Sequence, residues 1–118
     1  MNAAWCAGMF IGKGCTCKIT SRNSSGTFDY IHIQISMRDE RAITLFAKHF
    51  GVNYRVIFVK AHGYDIYRVS ATGRTAEKIL AAMWPFVKGT DKGDQAERVA
   101  RELEVFDWIS GKRTDQRP

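Results

Sequence analysis

The sequence predicts an α+β fold: a four-stranded antiparallel sheet with helices on one face and the other face left open. Two observations predict it. Apolar residues recur at helical spacing in four segments and at strand or β-rich spacing in four others. These segments follow in the order helix, two strands, helix, two strands, helix, helix, which suits paired hairpins covered from one side. The 118 residues fit one domain, expected over residues 1–109, with a polar tail over residues 110–118.

The first helix opens the chain with the apolar run Trp5 to Cys15. Ala4, Gly8 and Gly12 stand one helical turn apart, so one side of this helix is nearly bare. A bare side admits a second helix to backbone contact. The polar residue ending the run is Lys13. Thr16 to Arg22 then alternates, with Lys18, Thr20 and Arg22 expected on one face and Cys17, Ile19 and Ser21 on the other. Asn23-Ser24-Ser25-Gly26 carries turn chemistry. The next strand is the clearest: Ile31, Ile33, Ile35 and Met37 form the buried face, and Tyr30, His32, Gln34, Ser36 and Arg38 the outward one. Grouping the two outward sets gives a hairpin with a cationic, hydrogen-bonding upper face.

Asp39 is a natural N-cap for a helix reaching Phe50, and Gly51 suits its C-terminal stop. Val52 to Lys60 is β-rich, but Val56 to Val59 are consecutive apolar residues, so alternation assigns no outward face there. In its partner strand, Arg68, Ser70 and Thr72 share a face opposite Tyr67, Val69 and Ala71. Ala76, Ile79, Leu80 and Met83 predict a third helix with Pro85 near its end. Asp94 is the expected cap of a last helix carrying Ala96, Val99, Ala100, Leu103 and Phe106.

Composition narrows the function classes. The apolar fraction of 45% argues against disorder, and no apolar run approaches a membrane span. No charged segment precedes the first apolar run, so a signal peptide is not expected. Three cysteines give neither a disulfide framework nor a metal-binding spacing; they read as packing thiols in a reducing, intracellular compartment. The net charge of +6 lies wholly in residues 13–38 and 52–74, where eight basic residues face Asp29 and Asp65. A basic sheet on a neutral body points to a polyanion partner, most often nucleic acid.

Three motif readings compete for Gly8 to Cys15. A phosphate loop is one residue short, lacks the Ser/Thr after its lysine, and should follow a strand instead of preceding one. A KH loop would place a second glycine at Cys15 and lead into a helix, whereas Thr16 to Thr20 is strand-like. The third reading covers far more of the chain. Ala7-Gly8-Met9-Phe10-Ile11-Gly12-Lys13-Gly14 resembles the LAGLIDADG motif of homing endonucleases, with Trp5-Cys6 as its lead-in. The αββαββα order over residues 3–109 matches that family too, as do Gln34-Ile35-Ser36 before the second helix and Trp84 to Lys88 ahead of Lys92-Gly93-Asp94.

The resemblance implies a LAGLIDADG-type fold. With one motif in the chain, it implies a homodimer on double-stranded DNA, joined through Ala4, Gly8 and Gly12. Base and phosphate contacts would fall to Lys18, Thr20, Arg22, Tyr30, His32, Gln34, Ser36 and Arg38, with Arg55 and Arg68 from the second hairpin. The family's chemistry uses Mg²⁺ held by an acidic residue at the motif's end, and that position is Lys13. The earlier acidic position is Ile11, and no carboxylate occurs in the first 28 residues. Lys92 matches the family's basic residue near the cleaved phosphates, with Thr90 or Lys88 as the alternatives because the joint is longer than usual. The position that ends the second strand falls at Met37. The expectation is therefore sequence-specific DNA binding with cleavage lost or impaired, and no metal site as the sequence stands. The alternatives are an active endonuclease or nickase, and an RNA-binding maturase or KH-like module.

Overall fold

The computed structural model describes residues 2–105 and Trp108. The Asn2 carboxamide accepts the Trp5 N–H at 2.9 Å and so caps α1 (Ala3–Lys13). Cys6, Ala7 and Phe10 turn inward from this helix. Gly14 follows without a loop, and a Cβ there would run into the Phe10 ring, so only glycine lets the chain pass directly into β1 (Gly14–Asn23). Asn23 closes the turn by accepting the Ser25 N–H at 2.7 Å, and β2 (Gly26–Met37) returns antiparallel.

Asp39 caps α2 (Glu40–Phe50) by accepting the Ala42 N–H, and Gly51 stops it at φ 66°. The second hairpin is β3 (Arg55–Val59) and β4 (Tyr64–Thr72). α3 (Gly73–Val87) and α4 (Asp91–Glu102) complete the described chain. Two expectations are corrected here. Thr90, not Asp94, caps α4: its hydroxyl accepts the Gly93 N–H at 3.0 Å, and Asp94 sits in the first turn, where its charge favours the helix N-terminus. Leu103 ends α4, while the expected contribution of Phe106 and the tail over 110–118 lie outside the described residues.

The four strands form one antiparallel sheet in the order β1-β2-β4-β3. Its helix side carries Ile31, Ile33 and Ile35 from β2 and Val69 and Ala71 from β4, all buried against the helices. Phe10, Phe46, Ile43, Leu80 and Met83 fill the layer between. The α+β architecture, antiparallel sheet and one-sided helix layer are those the sequence predicts.

Because β1 begins at a sheet edge, its outward backbone groups need partners. α4 supplies them. The Gln95 side chain accepts the Thr16 N–H at 2.8 Å, and the Lys92 ammonium donates to the Gly14 carbonyl. Two side chains one turn apart thus stand in for a neighbouring strand.

Candidate nucleic-acid interface

Register decides which side chains share the open face, since directly paired residues of antiparallel strands point to the same side. Gln34 pairs with Cys15 and Ser70, His32 with Cys17 and Thr72, and Ser36 with Arg68. Arg68 in turn pairs with Arg55. The open face therefore gathers Tyr30, His32, Gln34, Ser36, Arg55 and Arg68 from the expected set. It also settles β3: Arg55, Ile57 and Val59 face outward with Arg68, Ile66 and Tyr64.

The same register corrects the expectation for β1. Lys18, Thr20 and Arg22 pair with Ile31, Asp29 and Thr27, so they lie on the helix side. Lys18 there bonds Glu102 at the end of α4 at 2.7 Å, and the Thr20 hydroxyl donates to Asp29 at 2.7 Å. The cause is geometric. The hairpin extends past the helix layer: every residue from Thr20 to Tyr30 is exposed, so polarity no longer marks an inside there. Only Gly14 and Thr16 are buried on β1, and they fix which parity faces the helices. Cys17, expected to be packed, is exposed on the open face with its sulfur 3.5 Å from His32 Nδ1. Cys6 is buried and Cys15 half-buried.

The strand carboxylates lie on one side only, which they share with Lys18 and Arg22. Asp29 pairs with Thr20 and Asp65 with Phe58, so both strand carboxylates point to the helix side. The open face of the strands carries arginine and no carboxylate among the described residues. Arg68 Nε donates to Ser36 Oγ at 2.8 Å. Arg38, just past β2, lies over the Tyr64 ring at 3.9 Å, and that ring stacks on His62. His32 is held below its ordinary pKa, first by burial and then by the Arg68 charge, both of which disfavour the imidazolium.

A shallow groove of about 540 Å³ connects this face to the end of α1. Lys13, Ser36, Arg38, Asp39 and Tyr64 are among its walls. Asp39 is its one carboxylate and is engaged with the N-terminus of α2. Mg²⁺ requires several oxygen ligands in near-octahedral geometry. Here an ammonium and a guanidinium flank a single committed carboxylate, and no three His, Cys, Asp or Glu side chains cluster among the described residues. These residues do not fit the ion. Lys92 does reach the end of α1, but it is bound to the Gly14 carbonyl, a latch that spacing alone did not suggest.

On α1, Ala4, Gly8 and Gly12 are exposed, beside Trp5 at 40% exposure. A Cβ added at Gly8 or Gly12 would meet nothing within 4 Å. Packing among the described residues therefore does not account for either glycine. The strand that follows Gly14 also leaves no place for a phosphate loop or a KH loop, both of which lead into a helix.

No protein-family model matches the chain, and no curated protein does. Solved structures do. The homing endonuclease I-TnaI superposes with a TM-score of 0.64 at 18% identity, over 97% of this chain and 89% of that one. I-CvuI, a homing endonuclease solved in complex with a DNA target, gives 0.62 at 17% identity, over 86% of this chain and 65% of its own. The LAGLIDADG meganuclease I-AabMI, bound to uncleaved DNA, gives 0.69 at 14% identity. There 98% of this chain covers 42% of that one, so the chain spans less than half of I-AabMI's length. The fold is thus the LAGLIDADG homing-endonuclease fold.

Proposed function

We propose that this protein binds double-stranded DNA sequence-selectively through the open face of its sheet, as a two-fold pair joined along α1, with cleavage lost or impaired. The observation that carries the reading is an open face with arginine and no strand carboxylate among the described residues. Arg55 and Arg68 point outward with Arg38 beside them, both strand carboxylates point inward, and the helices leave that outward face uncovered. Such a face complements a phosphate-lined groove, and Gln34, His32 and Tyr30 supply donors and acceptors for base edges. The fold shared with DNA-bound I-CvuI and I-AabMI supports the same partner.

The bare side of α1 supports the pair. Gly8 and Gly12 cost helix stability, roughly 1 kcal/mol for an interior glycine relative to alanine, and no described residue fills the space they leave. A second copy of α1 would use it, bringing the two Lys13 ends together. Lys13 stands where the resemblance expects a metal-binding acid, and an ammonium offers a divalent ion neither a lone pair nor a favourable charge. The pair therefore grips DNA without the ligands that hydrolysis by a metal-activated water requires.

The test is selection from a randomised duplex library in Mg²⁺, scored for both binding and cuts, with the protein and its Lys13→Glu variant. Selective binding without cuts, and cleavage gained by Lys13→Glu, is the expected result. Cleavage by the unchanged protein would overturn the lost-chemistry reading; no selective binding would overturn the DNA reading.

A further inference from the structure

The open face is not uniform. Toward β1 and the outer part of β2 it presents Cys17, Tyr30, His32 and Gln34, with no acidic or permanently cationic side chain among them. Toward β4 and β3 it presents a cross-strand row, Ser36, Arg68 and Arg55. Neighbouring strands lie about 4.8 Å apart, so the row crosses roughly 10 Å of sheet. Arg38 and Lys13 continue the positive charge from the Ser36 end into the groove beside α1.

We infer that the face divides its work on DNA: Lys13, Arg38, Arg68 and Arg55 form a track for the phosphate backbone of one strand, and Gln34, Tyr30 and His32 read base edges beside it. This rests on the DNA-binding reading and assigns separate parts of that site to separate chemistry.

Three observations carry it. First, Arg55 and Arg68 are directly opposed like charges, an arrangement that is destabilising by itself, and no outward carboxylate on the strands relieves it. An anion seated between them would. Second, two guanidiniums of the track are held sideways by neighbours from the sheet. Arg38 is stacked on Tyr64, and Arg68 is tied sideways to Ser36. A base edge lies at the floor of a major groove about 8.5 Å deep and needs a side chain that stands up, whereas phosphates line its rim. The stack uses the face of Arg38 and leaves its in-plane N–H donors for phosphate oxygens, and Ser36, accepting from Arg68, has its own proton to donate. Third, Gln34 is flanked by the short side chains Cys15 and Ser70, which give it room to stand into the groove.

The experiment titrates the full chain with its selected duplex and with every single-pair substitution of that duplex, each at a series of salt concentrations. Arg55→Ala and Arg68→Ala should weaken binding by a similar factor on every duplex. Each should also flatten the plot of log affinity against log salt by about 0.9 for every phosphate left without its cation. Gln34→Ala should leave that slope unchanged and lose discrimination at one base pair of each half-site. Discrimination lost at one position by Arg55→Ala with an unchanged slope would overturn the division, as would a flattened slope in Gln34→Ala. Arg55 is exposed at the start of β3, so its truncation disturbs the fold least and keeps the test valid if Arg68→Ala fails to fold. If the unchanged protein binds no duplex, the DNA reading itself has failed, and the track with it.

Discussion

Replacing Gly8 should push folding and pairing in opposite directions. A Cβ at this position meets nothing within 4 Å, and the residue lies in the interior of α1, where alanine is favoured over glycine by about 1 kcal/mol. Gly8→Ala should therefore stabilise the folded chain by close to that amount, a rise of roughly 4 °C in Tm for a domain of this size. Gly8→Leu keeps most of the helix gain, because leucine ranks just behind alanine, but adds bulk on the side where a second α1 would approach. The assay pairs two measurements across a dilution series: sedimentation for the association state, and urea denaturation for stability. Gly8→Leu should be monomeric at concentrations where the unchanged protein is paired, while Gly8→Ala at high dilution is more stable than the unchanged protein. A paired Gly8→Leu, or a Gly8→Ala monomer less stable than the unchanged one, would refute the assignment of the space beside Gly8 to a second helix.

Further outcomes follow from single side chains. Thr16 Oγ1 is buried without a hydrogen-bond partner among the described residues, so Thr16→Val, which keeps the shape, should stabilise by about 1 kcal/mol in denaturant titration. Gly14→Ala should destabilise by about 1–3 kcal/mol, because the new methyl group meets the Phe10 ring at the junction of α1 and β1. His32 has its pKa lowered in the fold by burial and by Arg68. As pH falls, the unfolded chain therefore takes up the proton first. The His32 contribution to stability is complete above the ordinary value near 6.5 and declines as pH drops through it toward the folded value. His32→Gln should flatten stability against pH over that window.

Much of this fold was legible because its signals are local and redundant. Asp39 and Gly51 bound α2 by hydrogen bonding and by positive φ, and Ile31, Ile33 and Ile35 alternate because one side of β2 is truly buried. The face of β1 was not legible, since Thr20 and Arg22 project from a hairpin that helices no longer cover, and Lys18 meets only the last residue of α4. There, the register is fixed at a distance by Gly14 and Thr16. β3 was ambiguous for a related reason: Val56 and Phe58 are exposed on the helix side while Ile57 is half-buried on the open one, so hydrophobicity does not track orientation. The Lys92 and Gln95 latch depends on tertiary contact across 78 and 79 residues and has no signature in the chain.

The open face carries an internal reporter of its own occupancy. Cys17 is exposed on that face, Cys6 is buried, and Arg22 is exposed on the opposite side of the same strand. The rate of alkylation of Cys17, measured with and without saturating selected duplex, reads whether DNA lies on this face, with Arg22→Cys as the probe of the helix side. DNA on the open face should slow modification of Cys17 and leave the thiol introduced by Arg22→Cys reactive. Unchanged reactivity of Cys17 under saturating duplex, or protection confined to the Arg22→Cys position, would contradict it.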